Sequence, residues 1–169
     1  MIRRFMNEMC PMDKYLIRHK STIELLNDSP PKLVKPIILG ILGNSTGNKW
    51  NRETIADSVM NPMLCEIGMP SSILMPTEGA TSILLQIWSE RQNIACQPID
   101  ADWIRLGRRA RALRDGRILK ESTHLLIFLG TRSDYYEKVA IREAKKGKTV
   151  FTINSKTSEI IQWEKSPGS

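Results

Sequence analysis

The stretch PIILGILGNSTG, residues 36–47, decides how the rest of the chain is read. Ile37, Ile38, Leu39, Ile41 and Leu42 form a short, nearly unbroken apolar run, the pattern of a strand buried on both faces. Strands of that kind lie inside parallel sheets, where helices cover both sides. The run ends in Gly43, Asn44, Ser45, Thr46 and Gly47, after which a helix is predicted over residues 52–65, with Ile55, Val59 and Met63 on one face. Strand, small-residue loop and helix make the first half of a βαβ unit.

Toward the carboxyl end the same alternation repeats. Strands are predicted at 71–75, 93–99, 123–129 and 149–153, and helices at 80–91, 107–121 and 133–146. In the second helix Ile83, Leu84, Ile87 and Trp88 are expected to cover the sheet. Strands alternating with helices of this length imply right-handed crossovers. The expected fold is therefore α/β, a Rossmann-like three-layer sandwich with a mainly parallel, about five-stranded sheet, and ligands in such sheets bind beyond the strand carboxyl ends. Residues 35–155 are read as this domain. Residues 1–34 are read as an N-terminal helical appendage, with a helix near 15–26 broken by Asn27, Asp28, Ser29, Pro30 and Pro31, and residues 156–169 as a tail.

A chain of 169 residues suits one domain with its own core. With 41% hydrophobic and 25% charged residues, the composition is that of an ordinary globular protein, which excludes a disordered or fibrous body. Cys10, Cys65 and Cys96 include no close pair, so neither a disulfide framework nor a zinc knuckle is expected, and a reducing, cytoplasmic setting fits best. No long apolar run or signal-like start is present, so no membrane partner is expected. His19 and His124 lack partners at ligand spacing, so no metal or other cofactor is predicted.

The formal net charge of +7 favours anionic partners. Most of the excess lies in one stretch, where Arg105, Arg108, Arg109, Arg111, Arg114, Arg117 and Lys120 face Asp115 alone. These cations spread around a helical circumference and cannot all meet one ligand. Arg109 and Arg114 are assigned to a phosphate site because planar guanidinium groups bind phosphate bidentately. Arg105, Arg111 and Lys120 are assigned to solvated surface.

Three strand-to-helix loops carry candidate chemistry. In the first, Gly43, Asn44, Ser45 and Thr46 can offer backbone N–H groups and hydroxyls to a phosphate at a helix N-terminus, though the spacing is neither the Walker nor the dinucleotide fingerprint. An ordinary tight turn explains the same residues. In the second, Gly79 and Ala80 allow close approach to the backbone, and Glu78 can accept from a ribose or base or can simply sit at the helix start. In the third, Gly130, Thr131, Ser133 and Asp134 form the best phosphate candidate, with Asp134 as a sugar-orienting group or base. A plain Ser133 cap explains part of it. Trp103, near a strand end, is placed where a base could stack.

Glu78, Gly79 and Ala80, then Ala101, Asp102, Trp103, Gly107, Arg109, Ala110, Arg114 and Asp115, then Gly130 and Thr131, follow an order that resembles the SLOG superfamily of Rossmann-like proteins, its YspA-like branch above all. Thr81 stands at the acidic place of the first loop of that pattern, Asp115 replaces an Asn, and Leu129 leaves one glycine before Thr131. The resemblance implies a sensor of nucleotide-derived signals, a single-strand DNA-binding protein of the DprA type, or a phosphoribohydrolase of the LOG type. In the last case Gly130, Thr131 and Asp134 keep the spacing of its Gly-Thr-x-x-Glu motif, and Arg114 matches its arginine. It also implies an association with defence or mobile-element systems.

These readings lead to one expectation with two alternatives. The first is a binding module for a nucleotide or nucleotide-derived small molecule at the strand carboxyl ends, acting as a homo-oligomer, a dimer by expectation. The alternative is an N-glycosidic enzyme that releases a base from a nucleoside monophosphate, with Asp134, Glu78 and Arg114 as its catalytic groups. The second alternative is nucleic-acid binding through residues 105–120.

Overall fold

The computed structural model describes residues 2–4 by their backbone, and residues 35–43, 50–130 and 134–163 in full. Its strands are β1 (Ile2–Arg4), β2 (Ile38–Gly43), β3 (Ser72–Pro76), β4 (Ala95–Ile99), β5 (His124–Leu129), β6 (Thr149–Asn154) and β7 (Ile160–Trp163). The helices are α1 (residues 52–67), α2 (Ala80–Arg91), the short α3 (Trp103–Leu106), α4 (Ala110–Glu121) and α5 (Asp134–Lys145).

One sheet contains all the strands, in the order β1-β7-β6-β5-β2-β3-β4. Strands β2 to β6 pair in parallel, whereas β7 pairs antiparallel with β6 and β1 antiparallel with β7. Apart from the three-residue β1, this is the doubly wound, Rossmann-like order, with the chain reversing its direction of travel at β2 and β5. The expected mainly parallel α/β sheet is present. Its extra antiparallel strand β7 comes from residues placed in a tail on sequence grounds. The β6–β7 hairpin is closed locally, by Asn154 Oδ1 accepting from Lys156 N at 2.9 Å and by Ser158 N donating to Asn154 O at 2.8 Å.

Alternate residues of each buried strand feed opposite layers. Leu39, Ile41, Ile73, Met75, Leu126, Phe128, Phe151 and Ile153 pack with Ile55, Val59, Met60 and Met63 of α1 and with Leu85 and Trp88 of α2. Leu42, Leu74, Leu125, Ile127 and Val150 pack with Ile118 of α4 and with Tyr136, Val139, Ala140 and Ala144 of α5.

Helix α1 passes through a π-helical turn, Ala56–Met60, in which Asn61 N donates to Ala56 O. The wider turn falls just before Pro62, whose ring has no N–H and would crowd a carbonyl of an ordinary helix. The expected covering face of α2 holds in part: Trp88 is buried and Leu84 packs against the core, but Ile83 is exposed, and Leu85 with the small polar Thr81, Ser82 and Ser89 completes the buried side.

Gly40 serves the other layer. A Cβ there would fall within 2.9 Å of Ser122, Ile118 and Leu125 side-chain atoms, so the missing side chain is what lets the end of α4 settle on β2. The expectation of no disulfide is also corrected, because Cys65 is disulfide-bonded while Cys96 is free. The cysteine argument for a reducing compartment therefore lapses. Among the described residues no helix is long and apolar enough to cross a membrane.

Candidate functional site

Where the winding reverses, at the carboxyl ends of β2 and β5, a cleft opens beyond the sheet. It has a volume of about 160 Å³ and is lined by Gly43 of β2, Pro76 at the end of β3, Glu78 in the loop after it, Thr81 and Ser82 of α2, Trp103 of α3, Arg111 and Arg114 of α4, and Phe128 of β5. Gly43 has φ +113°, and a Cβ there would lie 2.1 Å from Phe128 O. Only glycine fits that register, in which Gly43 pairs with Phe128 across the switch point.

Helix α2 points its N-terminus at this cleft. Its N-cap Gly79 has φ +109° and, lacking a side chain, contributes no cap hydrogen bond. Ser82 Oγ donates to Glu78 O at 3.2 Å, which holds the loop against the helix.

The far wall comes from α4, where polar side chains occupy positions on the buried stripe. Ala110, Arg114, Asp115 and Ile118 are its buried residues. Arg114, only 5% exposed, donates from Nε and Nη2 to Asp115 Oδ1 at 3.0 and 2.8 Å, and from Nη1 to Glu78 Oε1. Burial works against its charge, but Asp115 and Glu78 outweigh that and hold the guanidinium above its ordinary pKa.

Asp115 Oδ2 in turn accepts from Tyr136 Oη at 3.1 Å, and Tyr136 Oη accepts from Arg111 Nη2 at 2.8 Å. The Arg111 guanidinium also lies 5.6 Å from the Tyr136 ring centroid. Burial, joined by the Asp115 charge and partly opposed by Arg111, pushes the Tyr136 phenol up to about 12. Glu78, Arg114, Asp115, Tyr136 and Arg111 thus form one continuous chain of polar contacts from the loop before α2, through α4, to α5 and back to α4.

A second cleft of about 390 Å³ opens on the other side of this chain, lined by Arg108, Arg111, Ala112, Asp115, Gly130, Tyr135 and Tyr136. Arg111 belongs to both clefts. Tyr135 is 57% exposed and meets Tyr136 edge to face at 5.1 Å.

Of the residues singled out on sequence grounds, Gly43, Glu78, Trp103 and Arg114 meet at the first cleft, with Gly79 and Ala80 at the adjoining helix start, and Gly130 borders the second. Arg109 is exposed on the turn before α4 and lines neither cleft, as does Asp134 at the start of α5. Asn44, Ser45, Thr46, Thr131 and Ser133 lie outside the described residues. Arg111, assigned to the surface, lines both clefts.

Asp115 and Tyr136 were not singled out for the site. The signal that could have found Asp115 is an adjacent Arg–Asp pair interrupting the apolar stripe that runs from Ala110 to Ile118. Trp50, the other tryptophan near a strand end, packs edge-on against Phe128 at 5.2 Å and belongs to the core. Among the described residues no three His, Cys, Asp or Glu side chains group as a metal site would need.

The fold and this switch-point cleft define a Rossmann-like α/β protein. Beyond that class, no family model, no curated protein and no solved structure matches the chain.

Proposed function

We propose that the protein binds a nucleotide or nucleotide-derived small molecule at the carboxyl ends of its parallel strands. The observation that carries this reading is the cleft at the β2/β5 switch point, where the N-terminus of α2 meets a guanidinium pair on α4. Arg114 is held rigidly by Asp115 and Glu78, whereas Arg111 spends one N–H on Tyr136 and keeps its other donors for an anion. The half-exposed Glu78 carboxylate is placed to accept from a sugar hydroxyl, and Trp103 to stack on a ring. A likeness to the SLOG superfamily supports the same reading, on the residues already quoted.

A thermal-shift screen with nucleoside mono- and diphosphates tests it. A ligand at a hundredfold excess over its Kd adds about 2.7 kcal/mol to stability, and Arg111→Glu should abolish the shift. If no nucleotide moves the melting temperature, the reading fails. The base-releasing alternative would rest on Glu78, since Asp134 lies away from the cleft, and Glu78 already serves Arg114. Nucleic-acid binding draws on the exposed Arg108, Arg109 and Lys120, and affinity that falls steeply with salt would favour it.

A further inference from the structure

We infer that the exposed segment Trp103–Arg109 is a peripheral membrane contact, which sets Ile104 and Leu106 into the headgroup layer of an anionic lipid surface while the arginines around them meet its phosphates. The starting point is a helix without a core. Neither α3 nor the turn Gly107–Arg109 that follows it contains a buried residue. Helices this short are ordinarily held by tertiary packing. Here local bonds hold it instead: Asp102 Oδ1 accepts from Arg105 N at 3.1 Å, and Asp102 O accepts from Leu106 N at 3.0 Å. Ile104 is 99% exposed, Leu106 is 41% exposed, and Leu113 on α4 is 54% exposed. None of the three is needed for the core, so their apolar surface is free for a partner.

Charge decides which partner. From Trp103 to Leu113 the chain carries Arg105, Arg108, Arg109 and Arg111 and no acidic residue. The flanking carboxylates are engaged, Asp102 with Arg105 and Asp115 with Arg114. The surface therefore calls for an anion and an apolar phase side by side. An anionic bilayer supplies both, because its phosphates attract the guanidinium groups and its acyl boundary takes up Ile and Leu side chains. Arginine stems can lie along the apolar region while their heads stay among the phosphates. A stable protein interface takes about 800 Å² from each partner, more than so short a segment presents. Nucleic acid would engage the arginines through its phosphates but offers a fully exposed isoleucine no apolar phase to enter. The expectation of no membrane partner drew on the lack of a long apolar run, which bears on crossing a bilayer and not on resting against its surface.

The experiment is flotation of the full chain with vesicles of phosphatidylcholine alone and of phosphatidylcholine mixed equally with phosphatidylserine. The protein should float with the mixed vesicles and stay behind with the neutral ones. Ile104→Asn, which leaves the charge unchanged, should weaken partitioning about tenfold. Arg105→Gln and Arg109→Gln should each weaken it about fivefold. All three side chains are exposed, so melting temperatures should stay constant, which the same samples check. If the arginine variants lose binding while Ile104→Asn keeps all of it, the protein adheres by charge alone and the inference is overturned. Failure to float with the mixed vesicles overturns it as well, and a single-stranded oligonucleotide bound in their place would assign these arginines to nucleic acid. Neither result bears on the nucleotide cleft, which the thermal-shift screen tests separately.

Discussion

The two helical layers cover the same sheet with different chemistry. Beneath α1 and α2 the buried side chains are uncharged, with Ile55, Val59, Met60, Met63, Leu85 and Trp88 against the strands beside the small polar Thr81, Ser82 and Ser89. Beneath α4 and α5 the layer also holds Arg114, Asp115, Tyr136 and Glu143, all buried. Glu143, at 2% exposure, is met by Arg142, Lys146 and Lys148, and Lys148 also donates to Leu119 O, which ties α5 to the end of α4. Taking such charges out of water is costly, and apolar side chains of similar volume would often serve stability as well or better. Both layers bury apolar side chains, and the charged network of the second additionally holds Arg111 and Glu78 at the strand ends.

The largest expected effect tests the charged layer. Asp115→Ala leaves the Arg114 guanidinium without its buried partner and should cost about 3–5 kcal/mol by denaturant unfolding. Replacing Arg114 and Asp115 together by Met and Leu should restore most of that stability yet leave nucleotide affinity impaired. A double variant as unstable as Asp115→Ala would break the distinction between the layers. On the apolar side Met60→Ala should cost about 2–5 kcal/mol through the cavity it opens, with ligand affinity unchanged in the folded fraction. A specific loss of binding there would erase the contrast.

Two smaller effects sharpen it through pH. The Tyr136 phenol, near 10 when unfolded and about 12 when folded, binds its proton more tightly in the native state. The stability it contributes is therefore complete below pH 10 and is lost between about 10 and 12, a loss that Tyr136→Phe should remove from base-denaturation curves. At Glu143, burial raises the pKa but the surrounding cations outweigh it, so the folded value lies below the ordinary one. Its contribution is present above the unfolded pKa and is lost as pH falls through the lower folded one, so Glu143→Gln should flatten the acid limb.

Much of this was legible in the chain. The buried run at residues 37–42 and the repeating alternation after it led to the parallel sheet, and α2 begins and ends at the predicted residues. What escaped was decided by contacts distant in sequence. Ile160–Trp163 becomes a strand because β6 offers it an edge, which no local pattern announces. Ile83 faces solvent because Ser82 and Ser89 are small enough to turn toward the sheet. Arg111 and Arg114 are three residues apart on one helix and differ in fate because Asp115 and Glu78 claim one, while Tyr136, from another helix, holds the other at the rim. Helical spacing alone cannot make that choice.

The pairing of β1 with β7 has a kinetic side. Ile2 lies opposite Trp163, so the two strands of this pair come from segments far apart in sequence. Closing so long a loop for a three-residue ladder yields few contacts for the entropy spent. This edge should be the last part of the sheet to form and the first to open, showing as fast amide exchange at Arg3 against slow exchange along β2 and β5.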